Sequence, residues 1–241
     1  MRTLRNVVRP AWDILGSYVV TWTFGNVLGA IFWLLVALRI IRIRGYKNAM
    51  RAVRHGGVII AANHPSLLET FLIPLVFWPR FLFNHRFYVW SAPDIALFPT
   101  GLKWLYVLLH CVTLDRTNPR QSVAGVKQIT ELLQAGRTIV IHPEGGRTIK
   151  GDDFRRFGGR KVRRIRTLVP KIAERVGAHI MPAYVWMRRV DRPLSFWDGI
   201  VRLFRRDRTP IVISFARTYR VRSPMQLNVE NEKLEKKILS A

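Results

Sequence analysis

The sequence predicts an α/β fold: one domain with a mixed, mostly parallel sheet flanked by helices, preceded by an N-terminal helical segment. Three observations predict it. Short β-branched or aromatic runs recur along the chain and alternate with stretches of helical apolar spacing, the pattern of strands joined through helices. The chain has 241 residues, 49% of them hydrophobic, enough for one large core plus one further element. No composition break or linker divides residues 45–241, so that span is read as a single domain and residues 1–44 as a separate segment.

Ile14 to Leu38 carry no formal charge, a length that could cross roughly 30 Å of hydrocarbon as a helix. Ser17, Thr21, Thr23, Asn26 and the spread of Trp12, Trp22 and Trp33 also leave open a helix lying in or dipping into the membrane interface. Residues 1–44 are expected to associate with a membrane, with a buried soluble helix as the alternative. Arg39, Arg42, Arg44, Lys47, Arg51 and Arg54 follow the run, which places the main domain on the cytoplasmic side.

Val58 to Ala62 reads as a glycine-bounded strand that runs into a helix whose first residue would be Pro65. Phe71 to Phe83 is apolar but broken by Pro74 and Pro79, which argues for a greasy wall or an interfacial flap rather than a spanning helix. A strand is expected at Phe87 to Trp90, an apolar helix ending near Leu109, and another strand at Val112 to Leu114. Val123, Val126, Ile129, Leu132 and Leu133 mark one face of an amphipathic helix that Gly136 stops. The stretch Arg137 to Thr148 reads as a strand followed by a glycine-containing loop, and further strands are expected near His179 to Trp186, after a helix, and at Pro210 to Ala216. The mixed-charge tail from Met225 reads as an exposed helix.

The formal charge is +25, from forty Lys and Arg against fifteen Asp and Glu. Such a surface attracts anions, so nucleic acid, an anionic membrane and an acidic carrier protein are all candidate partners. The single cysteine, Cys111, rules out an intrachain disulfide and leaves no cysteine-based zinc cluster. His55, His85 and His110 show no metal-ligand spacing, and His142 and His179 read as packed or capping histidines.

The chemistry-bearing stretch is Asn63-His64-Pro65-Ser66-Leu67-Leu68-Glu69. Five residues apart on one helix, His64 and Glu69 would diverge by about 140°. The pair is useful only if His64 lies just outside the helix and Glu69 reaches back from its first turn. Glu69 would then hold one ring nitrogen and leave the other to take a proton from a hydroxyl. No G-x-S-x-G pattern supplies a protein nucleophile, so that hydroxyl would belong to the substrate.

This stretch resembles the N-H-x-x-x-x-D block of the glycerolipid acyltransferases related to lysophosphatidic acid acyltransferase. Val112 to Arg116 resembles their second block, His142 to Thr148 their third, usually F-P-E-G-T-R-S, and Ile180 to Val185 their fourth. The four blocks stand in the family's order and cover most of residues 45–190. The resemblance implies His64 as general base and Glu69, in place of the usual aspartate, as its orienting carboxylate. It implies that Arg116 binds the acceptor's anionic group and that Glu144, Gly145, Gly146 and Arg147 shape the acceptor site. Pro182 would lie in the segment that positions acyl chain or acceptor. The reaction implied moves an acyl group from acyl-CoA or an acylated carrier protein to a lysolipid hydroxyl, most simply a lysophosphatidic-acid-like one, with no metal or bound cofactor and no covalent enzyme intermediate.

Three departures mark the chain. Glu69 stands for aspartate, Gly146 and His142 stand for the usual threonine and phenylalanine, and Ile165-Arg166-Thr167-Leu168 stands where Phe-Lys-x-Gly is common. All but the first fall around the acceptor side, which leaves a glycolipid, an ornithine-type lysolipid or a specialised metabolite open as the acceptor. A non-catalytic basic protein is the rival reading, since Arg155 to Arg166 would suit phosphate contacts. It does not explain the apolar segments or the ordered blocks, and nucleic acid is not the expected partner.

Overall fold

The computed structural model describes residues 19, 21–66, 68–84, 87–92, 111–112, 119–145, 148, 153–157, 159–187, 210–221 and 227–241. Their elements, in order, are α1 (Asn26–Ala37), β1 (Ile41–Arg44), α2 (Tyr46–His55), β2 (Val58–Ala62), α3 (Glu69–Leu75), α4 (Trp78–Phe81), β3 (Val89–Ser91) and α5 (Pro119–Gln134). There follow β4 (Thr138–Ile141), β5 (Phe154–Phe157), β6 (Arg160–Arg163), α6 (Leu168–Val176), β7 (His179–Trp186), β8 (Ile211–Phe215), β9 (Tyr219–Arg220) and α7 (Leu227–Ser240).

The main sheet runs β1-β8-β7-β2-β4-β3, with β9 against β7. Among the described residues of this sheet the pairs β1/β8, β2/β7, β2/β4 and β3/β4 are parallel, and β7/β8 and β7/β9 are antiparallel. The expected mixed, mostly parallel sheet is therefore present. β2 lies at its centre, and all five of its residues are buried. That is why Val58 to Ala62 shows a continuous apolar run rather than alternation. Val58, Ile60 and Ala62 face a core built with α1, α2 and α3, while Ile59 and Ala61 face one built with α5, α6 and α7. Burying one such isoleucine contributes about 1.5–3 kcal/mol.

Several local expectations change. Pro65 does not open the helix after β2; α3 begins at Glu69, because residues 63–66 are held by side-chain bonds described below. Phe71 to Phe83 forms two short helices and the turn between them, with Leu72, Ile73, Val76 and Phe77 buried in the first core as a greasy wall would be. The third strand is Val89–Ser91; Cys111 bridges in parallel to Ser91, and the rest of the Val112–Leu114 strand and the helix before it lie outside the described residues. On α5 Ile129 and Leu133 are buried while Val123 is 69% exposed, since it points about 120° round the helix from Ile129. The basic run 155–166 folds into the β5/β6 hairpin, with Val162 turned into the second core.

The tail is not an exposed helix. Leu234, Ile238 and Leu239 of α7 are buried in the second core, and Glu235 accepts the Ile165 N–H at 2.9 Å. Of the charged residues that suggest a solvated helix, Glu230 and Glu235 are buried; Glu230 pairs with Lys233 and Glu235 with Arg155.

At the N-terminus, a π-helical turn (Thr21–Gly25) leads into α1. Among the described residues no helix is long and apolar enough to cross a membrane. α1 turns Phe32 and Leu35 into the first core and leaves Val27, Ile31, Leu34 and Leu38 exposed along the opposite face. Gly29 lets α1 touch α4: a Cβ there would stand 2.3 Å from the Trp78 ring. The boundary at 44/45 thus falls directly after β1, a strand of the main sheet, whose Ile41 is buried.

Candidate active site

Sheet register builds the site. β2 and β4 are parallel neighbours with Ala61 opposite Ile141, so the residues that follow them, Asn63-His64 and His142-Pro143-Glu144, emerge side by side at the carboxyl edge. That edge is where parallel α/β sheets present their ligand-binding residues. Asn63 anchors the first segment to the sheet: its Nδ2 donates to the Val185 carbonyl at 3.0 Å, and its Oδ1 accepts the Val185 N–H at 2.6 Å.

His64 and Glu69 meet as the spacing requires. The His64 Nδ1–H donates to Glu69 Oε1. Glu69 is fully buried, and its other oxygen, Oε2, accepts from the Ser66 amide at 3.1 Å and the Ser66 hydroxyl at 2.7 Å. Ser66 Oγ in turn accepts the Leu68 N–H at 3.0 Å. Ser-x-x-Glu is the pattern of a capping box, and here the carboxylate that reaches back also holds the histidine. Burial alone would raise the Glu69 pKa, but the hydrogen bond and charge of His64, helped by His142 and Ser66, hold it below the usual carboxylate value. Among the described residues the His64 Nε2 has no hydrogen-bond partner, and the side chain is 11% exposed. One ring nitrogen is oriented and the other can reach a substrate.

Glu144 turns inward. Only 1% exposed, it accepts the His64 backbone N–H at 2.9 Å and the Thr148 hydroxyl at 2.9 Å on Oε1, and the Arg163 N–H at 3.1 Å on Oε2. Thr148 closes the loop, its N–H donating to the His64 carbonyl at 2.7 Å. Burial is the main influence on the Glu144 carboxyl and pushes its pKa up to about 7. Glu144 thus clamps the backbone that carries His64. Gly145 has φ +65, and a Cβ there would stand 2.6 Å from Arg166 Nε, so the exposed Arg166 side chain lies across the third-block loop. Pro182 is buried in β7 opposite Ala61, where the strand's other partner changes from β9 to β8 and a missing N–H is tolerated. Arg116, Gly146 and Arg147 lie outside the described residues.

His142 joins this group. Its ring stacks on His64 with centroids 4.3 Å apart and planes 14° from parallel. His64, Glu69 and His142 also present possible metal-ligand atoms within 4.8 Å of one another. Stacked rings direct their in-plane lone pairs along similar lines rather than at one point, and His64 Nδ1 and both ring nitrogens of His142 lie within hydrogen-bond distance of neighbours. Sequence reasoning reached His64, Glu69 and the third-block loop but missed Ser66, Thr148 and the polar role of His142. The capping-box spacing could have identified Ser66; nothing local marks the other two.

The chain resembles known proteins across this same region. It is 22% identical over 158 residues to a 1-acyl-sn-glycerol-3-phosphate acyltransferase of Limnanthes douglasii, covering 60% of this chain and 50% of that protein. It is 29% identical over 97 residues to a probable 1-acyl-sn-glycerol-3-phosphate acyltransferase of Mycoplasma pneumoniae, covering 38% of this chain and 34% of that one. The chain therefore spans about half the length, or less, of these relatives. The crystal structure of the 1-acyl-sn-glycerophosphate (LPA) acyltransferase PlsC from Thermotoga maritima shares the fold, with a TM-score of 0.52 and 17% identity over 100% of this chain and 97% of that one. The Acyltransferase family model matches residues 40–186, more than half of the chain and all of β1 through β7 with the histidine-glutamate pair at their edge, and it is to this acyltransferase family that the chain belongs.

Proposed function

We propose that the chain is an O-acyltransferase that moves a fatty acyl group from an acyl thioester, acyl-CoA or an acylated carrier protein, to a lysolipid hydroxyl, with a lysophosphatidic-acid-like acceptor. The observation that carries this reading is the His64–Glu69 pair: Nδ1 is committed to a buried carboxylate and Nε2 is open at the sheet edge. Nε2 takes the proton of the acceptor hydroxyl as its oxygen attacks the thioester carbonyl. Glu69, ionised, stabilises the resulting imidazolium. The tetrahedral intermediate collapses by breaking the carbon-sulfur bond, and the leaving thiolate recovers the proton from Nε2. The ester forms, a thiol departs, and His64 is neutral again.

Arg166 supports an anionic acceptor, since its guanidinium lies across Gly145 beside the site, and such a group binds phosphate through paired N–H donors. Arg116 would share this role. The exposed apolar face of α1, Val27, Ile31, Leu34 and Leu38, suits a helix lying in a membrane interface, which would bring the site to its lipid substrates and keep the catalytic domain on the cytoplasmic side. The departures at Gly146 and Arg166 favour, as a second reading, the same chemistry on another lysolipid. Purified protein supplied with radiolabelled acyl-CoA or acyl carrier protein and a panel of lysolipids is expected to label one lipid product. No labelled product with any donor and acceptor would overturn the assignment.

A further inference from the structure

His142 occupies the position where the third block usually carries phenylalanine, and its ring makes contacts that phenylalanine cannot. Its Nδ1 lies 3.2 Å from each of the Ala62 and Asn63 carbonyl oxygens, the two residues that lead into His64. Carbonyls only accept, so Nδ1 carries the proton. Nε2 is then an acceptor, and the Thr70 hydroxyl donates to it at 3.3 Å. Thr70 directly follows Glu69. One ring therefore ties the backbone on the approach to His64 to the side chain next to Glu69, while its face lies flat against the His64 imidazole at 4.3 Å. Burial lowers the His142 pKa to about 4, so the ring stays neutral and keeps this tautomer at ordinary pH.

We propose that His142 is a positioning residue: by linking the Ala62 and Asn63 carbonyls to Thr70 and covering one face of His64, it sets the separation and ring orientation of the His64–Glu69 pair. The inference rests on the acyl-transfer reading for its kinetic consequence, not for its geometry. A phenylalanine would preserve the stack and lose the link. Because misplacing a catalytic group by about 1 Å can cost 100-fold in rate, a strut that holds both members of a pair has leverage on turnover without touching substrate.

The test is a cycle of His142→Phe, Thr70→Val and the double variant, with His142→Asn as the conservative arm, since its amide can still donate to a carbonyl. His142→Phe is expected to lower kcat about tenfold with KM within about twofold, and Thr70→Val to lower kcat about threefold. The double variant should be no slower than His142→Phe, because both changes cut one link. His142→Asn should regain part of the loss. Proton NMR of protein carrying 15N-labelled histidine gives a readout independent of turnover: the His64 Nδ1–H resonance, assigned by its loss in His64→Ala, should shift or broaden in Thr70→Val and His142→Phe. An unchanged resonance together with kcat within about twofold of the parent, or losses that multiply in the double variant, would overturn the inference. If the parent shows the resonance but transfers no acyl group, the proposed function fails while the positioning inference is still decided by the resonance. Should His142→Phe not fold, Thr70→Val alone decides, since the hydroxyl is lost without a change of ring.

Discussion

At the scale of single residues, the proposed acyl transfer divides the site into groups that would face substrate and groups that hold them. His64→Ala should lower turnover by about two to four orders of magnitude, the usual contribution of a general base, and should also lower the melting temperature, because it leaves the buried Glu69 carboxylate without its ring partner. Glu69→Gln keeps the shape but stabilises the imidazolium poorly, so most activity should go. Glu69→Asp keeps the charge yet shortens the reach in a pocket where Ser66 and His64 both grip the longer side chain, so an intermediate loss is expected. Steady-state kinetics on the two variants checks this, and a Glu69→Gln enzyme with near-parental kcat would make the carboxylate a bystander. Glu144 acts through the fold. With a pKa of about 7 when folded and 4.5 as its ordinary value, the native protein binds the extra proton between those limits, so this group makes stability fall as pH rises from about 4.5 to 7. His142 works in the opposite sense at lower pH: its folded pKa of about 4 contributes stability that is present above 6.5 and lost as pH falls toward 4. Glu144→Gln, which sets an amide donor against an N–H or hydroxyl donor, should cost about 1–3 kcal/mol and remove the first of these slopes. Urea titrations at a series of pH values would show it.

At the scale of elements, α1 and β1 belong to the folded domain more than their place before Gly45 suggests. Phe32 and Leu35 fill the first core, Ile41 is buried, and β1 pairs along its whole length with β8. A chain beginning at Asn26 is expected to melt cooperatively, whereas one beginning at Gly45 loses an edge strand and uncovers that core, and should aggregate or melt without a cooperative transition. Circular dichroism on the two truncations separates the cases. α7 makes the same point at the other end: Ile238→Ala removes a fully buried side chain and should cost about 2–5 kcal/mol, where an exposed helix would lose almost nothing.

At the scale of the whole molecule, the +25 charge is arranged in two ways. Some of it is internal scaffolding: Arg155 pairs with Glu235 of α7 at 3.5 Å, and Arg160 donates to the Leu239 carbonyl at 2.9 Å while lying 5.0 Å over the Tyr184 ring. Some faces solvent beside the site, as Arg166 does. Electrostatic capture by the second kind weakens as the screening length shortens from about 10 Å at 0.1 M salt to about 3 Å at 1 M. KM for an anionic acceptor should therefore rise with salt while kcat holds. Arg166→Ala should raise the same KM about tenfold and flatten its salt dependence, in line with the loss of a charge-assisted contact. An unchanged KM would remove Arg166 from the acceptor site.

What the sequence by itself determined is local. A buried parallel strand shows as the apolar run Val58–Ala62, the family blocks show as short strings, and the offset of five between His64 and Glu69 is enough to place the histidine outside the helix. These features are legible because they depend on neighbours within a few positions. Only the tertiary structure decided that the tail helix is buried, that the arginine run is a hairpin, and that Glu144 clamps the His64 backbone from 80 residues away. The reason is register: once Ala61 lies opposite Ile141, the residues after two distant strands must share one edge, and no local pattern in either strand encodes that alignment. His142 shows the difference most clearly, since by sequence it is a lone polar substitution in an apolar position, and only the pairing of β2 with β4 turns it into the ring that joins the Ala62 and Asn63 carbonyls to Thr70.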